Sequence, residues 1–236
     1  MFCADNCCAV AQQYLPNVRQ NRSEVKQAAL GFRVHSGWAA MVAVCVEKGA
    51  PRVLARERVQ LVETFTYEFR QPYHTAEKML LGQAREFIER VRDEARRLTH
   101  RAVHGLQSDL QKQGIALKRC GLVLASGRPL PELERILASH ALIHTADGEL
   151  FREAILHGCN RCDLKTEGIK ERELLERAGQ AFRVKSAELM RRITELGRPF
   201  GSPWSQDEKF ATLAAWLALT APSTGERKAR SDSAAA

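Results

Sequence analysis

Between residues 30 and 46 the chain is mostly apolar. Phe32, Val34, Trp38, Ala40, Val42, Val44 and Val46 fall on one face at period two, and Ala39, Met41, Ala43 and Cys45 on the other. Alternation at that period predicts a strand, and apolar residues on both sides predict a central one covered on both faces. Glu47-Lys48-Gly49-Ala50-Pro51 supplies a turn, with Pro51 at its end because proline cannot donate to a ladder. A return strand is predicted over 52–62, where Val53, Ala55, Val59 and Leu61 alternate with Arg52, Arg56, Arg58 and Gln60. Residues 64–70 are read as a third short strand that closes a meander.

The period then changes. Leu80, Ala84, Phe87, Ile88, Val91, Ala95, Leu98, Ala102, Leu106 and Leu110 recur at spacings of three and four, which predicts a long amphipathic helix over 75–113. Thr75 is its expected N-cap, Gly114 its stop, and Gly105 a place where it bends. Residues 117–125 read as a buried strand running into Ser126-Gly127-Arg128-Pro129. Helices follow from Pro131 and over about 145–158, a strand over 164–169, helices over 171–178 and 186–196, and a last helix opened by Pro203-Trp204-Ser205. The expected class is α/β: an antiparallel meander followed by parallel strands, flanked by helices, one of them long.

Composition adjusts this picture only at the ends. Residues 1–28 are a polar lead with Cys3, Cys7 and Cys8, read as poorly ordered, and 221–236 read as a disordered tail; the domain is expected over 29–220. No apolar run reaches the roughly 20 residues that cross a bilayer, and the start lacks the basic region of a secretory signal, so the expectation is a cytoplasmic protein with no membrane partner. Seven irregularly spaced cysteines then read as thiols. The net charge of +8 favours phosphate-bearing partners, though it serves solubility equally well.

Two stretches carry a resemblance. Gly31-Phe32-Arg33-Val34-His35-Ser36-Gly37-Trp38-Ala39 resembles the first strand of the Holliday-junction-resolvase (RuvC-like) branch of the ribonuclease H-like superfamily. Asp207-Glu208-Lys209-Phe210-Ala211 with Ala214-Ala215 resembles its closing helix. The order of elements over about 30–219 agrees. The resemblance implies a ribonuclease H-like mixed sheet, nucleic acid as partner, and two Mg²⁺ ions held by carboxylates of the first strand, the middle strand and the last helix. Paired ions of that kind stabilise both the attacking and the leaving oxygen of a phosphodiester. The carboxylates are mostly missing: Arg33 stands in the first strand, Leu124-Ala125-Ser126 ends the middle one, and only Asp207 matches. The resemblance therefore predicts a nuclease site that is lost or rebuilt.

Histidines are the candidates for rebuilding. His140 and His144 lie four apart, on one face if they share a helix, which suits a divalent metal such as Mg²⁺, Mn²⁺ or Zn²⁺. Asp147 or Glu149 is expected to add an oxygen ligand or to serve as a general base, with Asp147 placed among the metal ligands and Glu149 among the catalytic residues. Against this, Ser139 or Thr145 as an N-cap would start a new helix and break the shared face. His35 is a candidate replacement for the lost strand carboxylate, or else a core histidine, and Trp38 reads as core. Tyr73-His74 reads as a packing staple, Cys159 and Cys162 as a lone C-x-x-C without the second pair zinc requires, and His100 and His104 as solvated.

Three functions remain open. The first is a nucleic-acid-binding ribonuclease H-like protein, with Arg33, Arg56, Arg58, Arg97 and Arg152 on phosphates and His35, His140, His144, Glu149 and Asp207 lining its cleft. The second is a metal-dependent hydrolase built on His140 and His144. The third is a scaffold that dimerises through the apolar stripe of the long helix, Leu98 and Leu106 included.

Overall fold

The computed structural model describes residues 25–125 and 129–220. The lead through residue 24, the loop 126–128 and the tail 221–236 lie outside the described residues. The run that reads as one strand over 30–46 is a hairpin: β1 (Lys26–His35) and β2 (Trp38–Glu47) joined at Ser36-Gly37, with His35 opposite Trp38. Gly37 has φ +79°, a left-handed conformation that glycine adopts without cost at the second position of this turn. Apolar residues on both sides of the turn concealed it. Strand β1 also starts at Lys26, inside the stretch read as a lead. Lys48 and Gly49 both have positive φ and form the expected second turn into β3 (Ala50–Gln60).

The third meander strand does not form. Residues 64–70 instead lead into the single-turn helix α1 (Tyr67–Arg70), and α2 (Pro72–Ala76) follows with Pro72 in its first turn. The long helix α3 (Leu81–Lys112) begins six residues after Thr75, because Leu80 is extended at ψ 144° and interrupts the helical path. The Thr75 hydroxyl bonds the carbonyls of Gln71 and Glu68 and caps nothing. The 32 residues of α3 span about 48 Å and run unbroken through Gly105. Then come β4 (Ile115–Leu124), α4 (Leu133–Leu137), α5 (His140–Arg161), β5 (Lys165–Lys170), α6 (Glu171–Phe182), α7 (Ser186–Leu196) and α8 (Gln206–Thr220). No helix among the described residues is long and apolar enough to cross a membrane.

The sheet order is β3-β2-β1-β4-β5, with β2 antiparallel to β1 and β3, and β4 parallel to β1 and β5. This mixed α/β sheet with helices on both faces is consistent with a ribonuclease H-like fold. One core joins Leu30, Phe32 and Met41 to Phe87 and Val91 of α3 and to Ile143, Phe151 and Ile155 of α5. The other joins Ala29, Val42 and Val44 to Leu174, Leu189, Ile193 and the buried face of α8. The apolar stripe of α3 is used within the chain: Leu106 is buried and Leu98 half-buried.

Helix α8 lies flush on the sheet because both sides are small. Gly31 and Gly121 face each other across β1 and β4, and a Cβ on either would overlap the backbone of α8 at Ala211 or Ala214. The N-terminus of α8 is fixed by Ser205 and Glu208: the Ser205 amide donates to Glu208 Oε2 at 2.8 Å, and the Asp207 amide donates to Ser205 Oγ at 3.0 Å. Trp204 anchors the preceding loop by donating from Nε1 to the Ile193 carbonyl at 3.0 Å.

Candidate functional site

Strands β1, β4 and β5 run parallel, so they finish at one end of the sheet, where open α/β folds gather their ligands. His35 closes β1, and Glu171 follows β5 directly. The capped start of α8 brings Asp207 to the same place. Arg33 donates from Nη1 to Asp207 Oδ1, and from Nε and Nη2 to the two Glu171 oxygens at 3.0–3.3 Å. His35 Nε2 lies 2.9 Å from Asp207 Oδ1. Burial works against ionisation of both partners, yet the bonds outweigh it. Those from His35 and Arg33 hold the Asp207 carboxyl below the ordinary range, and those to Glu171 and Asp207 hold Arg33 more firmly cationic.

The donor set of this cluster does not fit a pair of divalent ions. The guanidinium takes up an oxygen of Asp207 and both of Glu171, and Leu124 and Ala125 bring no carboxylate. Glu171 is the member that sequence reading missed. Its only local signal is its place just after a strand, and that says nothing of a partner 138 residues away.

Beside the cluster, rings and cations alternate along the hairpin end. His35 stacks on Trp38 with centroids 4.4 Å apart, and the Arg58 guanidinium lies 3.9 Å from the Trp38 centroid. Phe65 is 41% exposed and has Arg70 over its ring at 4.6 Å and Arg58 at 5.8 Å. Arg58 is exposed and makes no ion pair among the described residues. The other four arginines expected on phosphates are engaged internally. Arg33 holds the cluster, Arg56 donates to the carbonyls of Pro203 and Phe200, Arg97 pairs with Glu63, and Arg152 pairs with Glu149.

A second cluster forms between α2 and α5. Helix α5 starts at His140, five residues before the expected start, and the Thr145 hydroxyl bonds back to the Ala141 carbonyl instead of capping. His140 and His144 therefore share a face, with Nε2 atoms 3.1 Å apart. His74, which read as a staple, joins them: its ring centroid is 4.4 Å from that of His144 and 5.3 Å from that of His140. Asp147 is buried and does not point a free oxygen at the pair. Its Oδ1 accepts from the Tyr73 amide at 2.7 Å, and its Oδ2 lies 2.5 Å from His74 Nδ1. Burial pushes the Asp147 carboxyl up, against those bonds. Glu149 turns to Arg152 at 3.0 Å rather than to the histidines.

Two further groups of candidates lie elsewhere in the fold. Cys159 is buried against Cys120, whose thiol is pushed well up by the bond to Cys159 and by burial, which keeps it neutral and unreactive. His100 and His104 sit on α3 with rings 5.8 Å apart.

No family model and no curated protein matches the chain. Among solved structures, Thermus thermophilus RuvC in complex with a Holliday junction substrate is 10% identical. The match covers 80% of this chain and 90% of that one, at a TM-score of 0.48. A further Thermus thermophilus RuvC structure is 13% identical over the same shares, at a TM-score of 0.43. Likeness of this degree concerns the path of the chain and assigns no residue a role.

Proposed function

We propose that the protein binds nucleic acid at the carboxyl end of its sheet and that an arginine-centred ion-pair cluster has replaced a two-metal nuclease centre there. The observation that carries this reading is the alternation of His35, Trp38, Arg58, Phe65 and Arg70 beside that cluster. Arg58 is held by rings rather than by carboxylates, so its N–H groups stay available to phosphate oxygens. The exposed Phe65 ring offers a face on which a base can stack. The net charge of +8 supplies the long-range attraction. With Arg33 bound to Asp207 and Glu171, binding without metal-dependent cleavage is the expected behaviour.

The test is fluorescence anisotropy with single-stranded, duplex and four-way-junction DNA across a salt series. Binding should weaken linearly in log–log form, and Arg58→Ala should weaken every substrate and reduce the slope by about one. Incubation with Mg²⁺ or Mn²⁺ should leave the DNA intact. Absence of binding at low salt would overturn the reading, and metal-dependent cleavage would overturn the replacement of the centre.

A further inference from the structure

We infer that His74, His140 and His144 form a binding site for one Zn²⁺ ion, with Asp147 as the residue that positions His74. The site is separate from the arginine cluster and does not depend on nucleic-acid binding. The ligand nitrogens of the three histidines all lie within 4.8 Å of one another, and two of them are already 3.1 Å apart. A tetrahedral ion with bonds of about 2.0–2.1 Å holds its ligands about 3.4 Å from each other, so small torsions of the exposed His140 and His144 side chains close the site.

The buried carboxylate is an independent observation. Asp147 is 3% exposed and is fixed by the Tyr73 amide. Its other oxygen engages His74 Nδ1, so the Nε2 of a ring only 9% exposed is left to face the other two histidines. Carboxylate to Nδ1, Nε2 to metal is the arrangement that sets the tautomer and orientation of a ligating histidine. A packing staple needs neither a buried acid behind it nor two imidazoles in front.

The ligand chemistry selects the ion. Three neutral imidazoles with no oxygen donor suit Zn²⁺ and disfavour Mg²⁺ and Mn²⁺, which prefer carboxylates and water. Three protein ligands leave a fourth position. Because His140 and His144 are exposed, that position opens to solvent and takes a water. The ion would also tie α2, only five residues long, to the 22-residue α5.

The full chain is stripped with chelator, reloaded with Zn²⁺ or Co²⁺, and assayed by elemental analysis and visible absorption. One ion per chain is expected, with the intense d–d bands of four-coordinate Co²⁺ and no thiolate charge-transfer band. His140→Ala and His144→Ala should abolish uptake with unchanged far-UV circular dichroism, since both side chains are exposed. Asp147→Asn should keep the stoichiometry and weaken affinity roughly 10–100-fold, and His100→Ala should change nothing. The inference is overturned if folded wild type takes up no ion, if uptake survives His140→Ala and His144→Ala, or if a thiolate band places the ion on cysteines.

Discussion

Arg33 lies between Asp207 and Glu171, so a fixed positive charge sits between two carboxylates at the end of the sheet. The arrangement makes Asp207 a stabilising group in its ionised form. Its folded pKa lies below the ordinary value of 3.8, so the stabilisation is fully present above that value and is lost as pH falls through the lower folded one. Asp207→Asn should therefore cost about 1–2 kcal/mol in urea unfolding at neutral pH. The gap to wild type should hold above pH 3.8 and shrink as pH falls below it, where the depressed carboxyl gains its proton. A gap that stayed constant below that pH would mean that Asp207 contributes by shape and not by charge.

At the scale of elements, the closing helix determines where the cluster can form. Because α8 touches β1 and β4 backbone to backbone, its N-terminus reaches the sheet end with Asp207 in position. Gly121→Ala places a methyl group into the Ala214 carbonyl and should lower stability by about 3 kcal/mol or more, since neither backbone can yield. Gly105→Ala should do the opposite. That glycine lies within α3 with open space around its would-be Cβ, and alanine there should add about 0.5–1 kcal/mol. Urea midpoints of the two variants on either side of wild type would verify both; equal shifts would refute the close-approach account of α8.

The whole molecule is one sheet with a core on each face. Phe151 is fully buried against α3 and the sheet on one side, and Leu213 is fully buried on the other. The strands between them are shared, so losing either core exposes the other. Phe151→Ala and Leu213→Ala should each cost about 3–5 kcal/mol and lower a single transition seen alike by near-UV and far-UV circular dichroism. Two separate transitions would show that the layers fold independently.

The sequence by itself determined what neighbouring residues decide. Periods of two and near 3.6 marked β2, β3 and α3, because each side chain's burial repeats along its own element, and a short apolar run marked β4. It also determined that His140 and His144 could share a face. Tertiary structure decided the rest. Gly37 turns the chain inside a run whose period-two alternation keeps its phase on either side, and Leu80 cuts the helical stripe short, so local periodicity recorded neither event. Arg33 finds Glu171 and Asp207 at separations of 138 and 174 residues, and His74 meets Asp147 across 73. Charge and ring nitrogen are written in each residue's identity, whereas partnership depends on which strand ends and helix starts the packed sheet brings together.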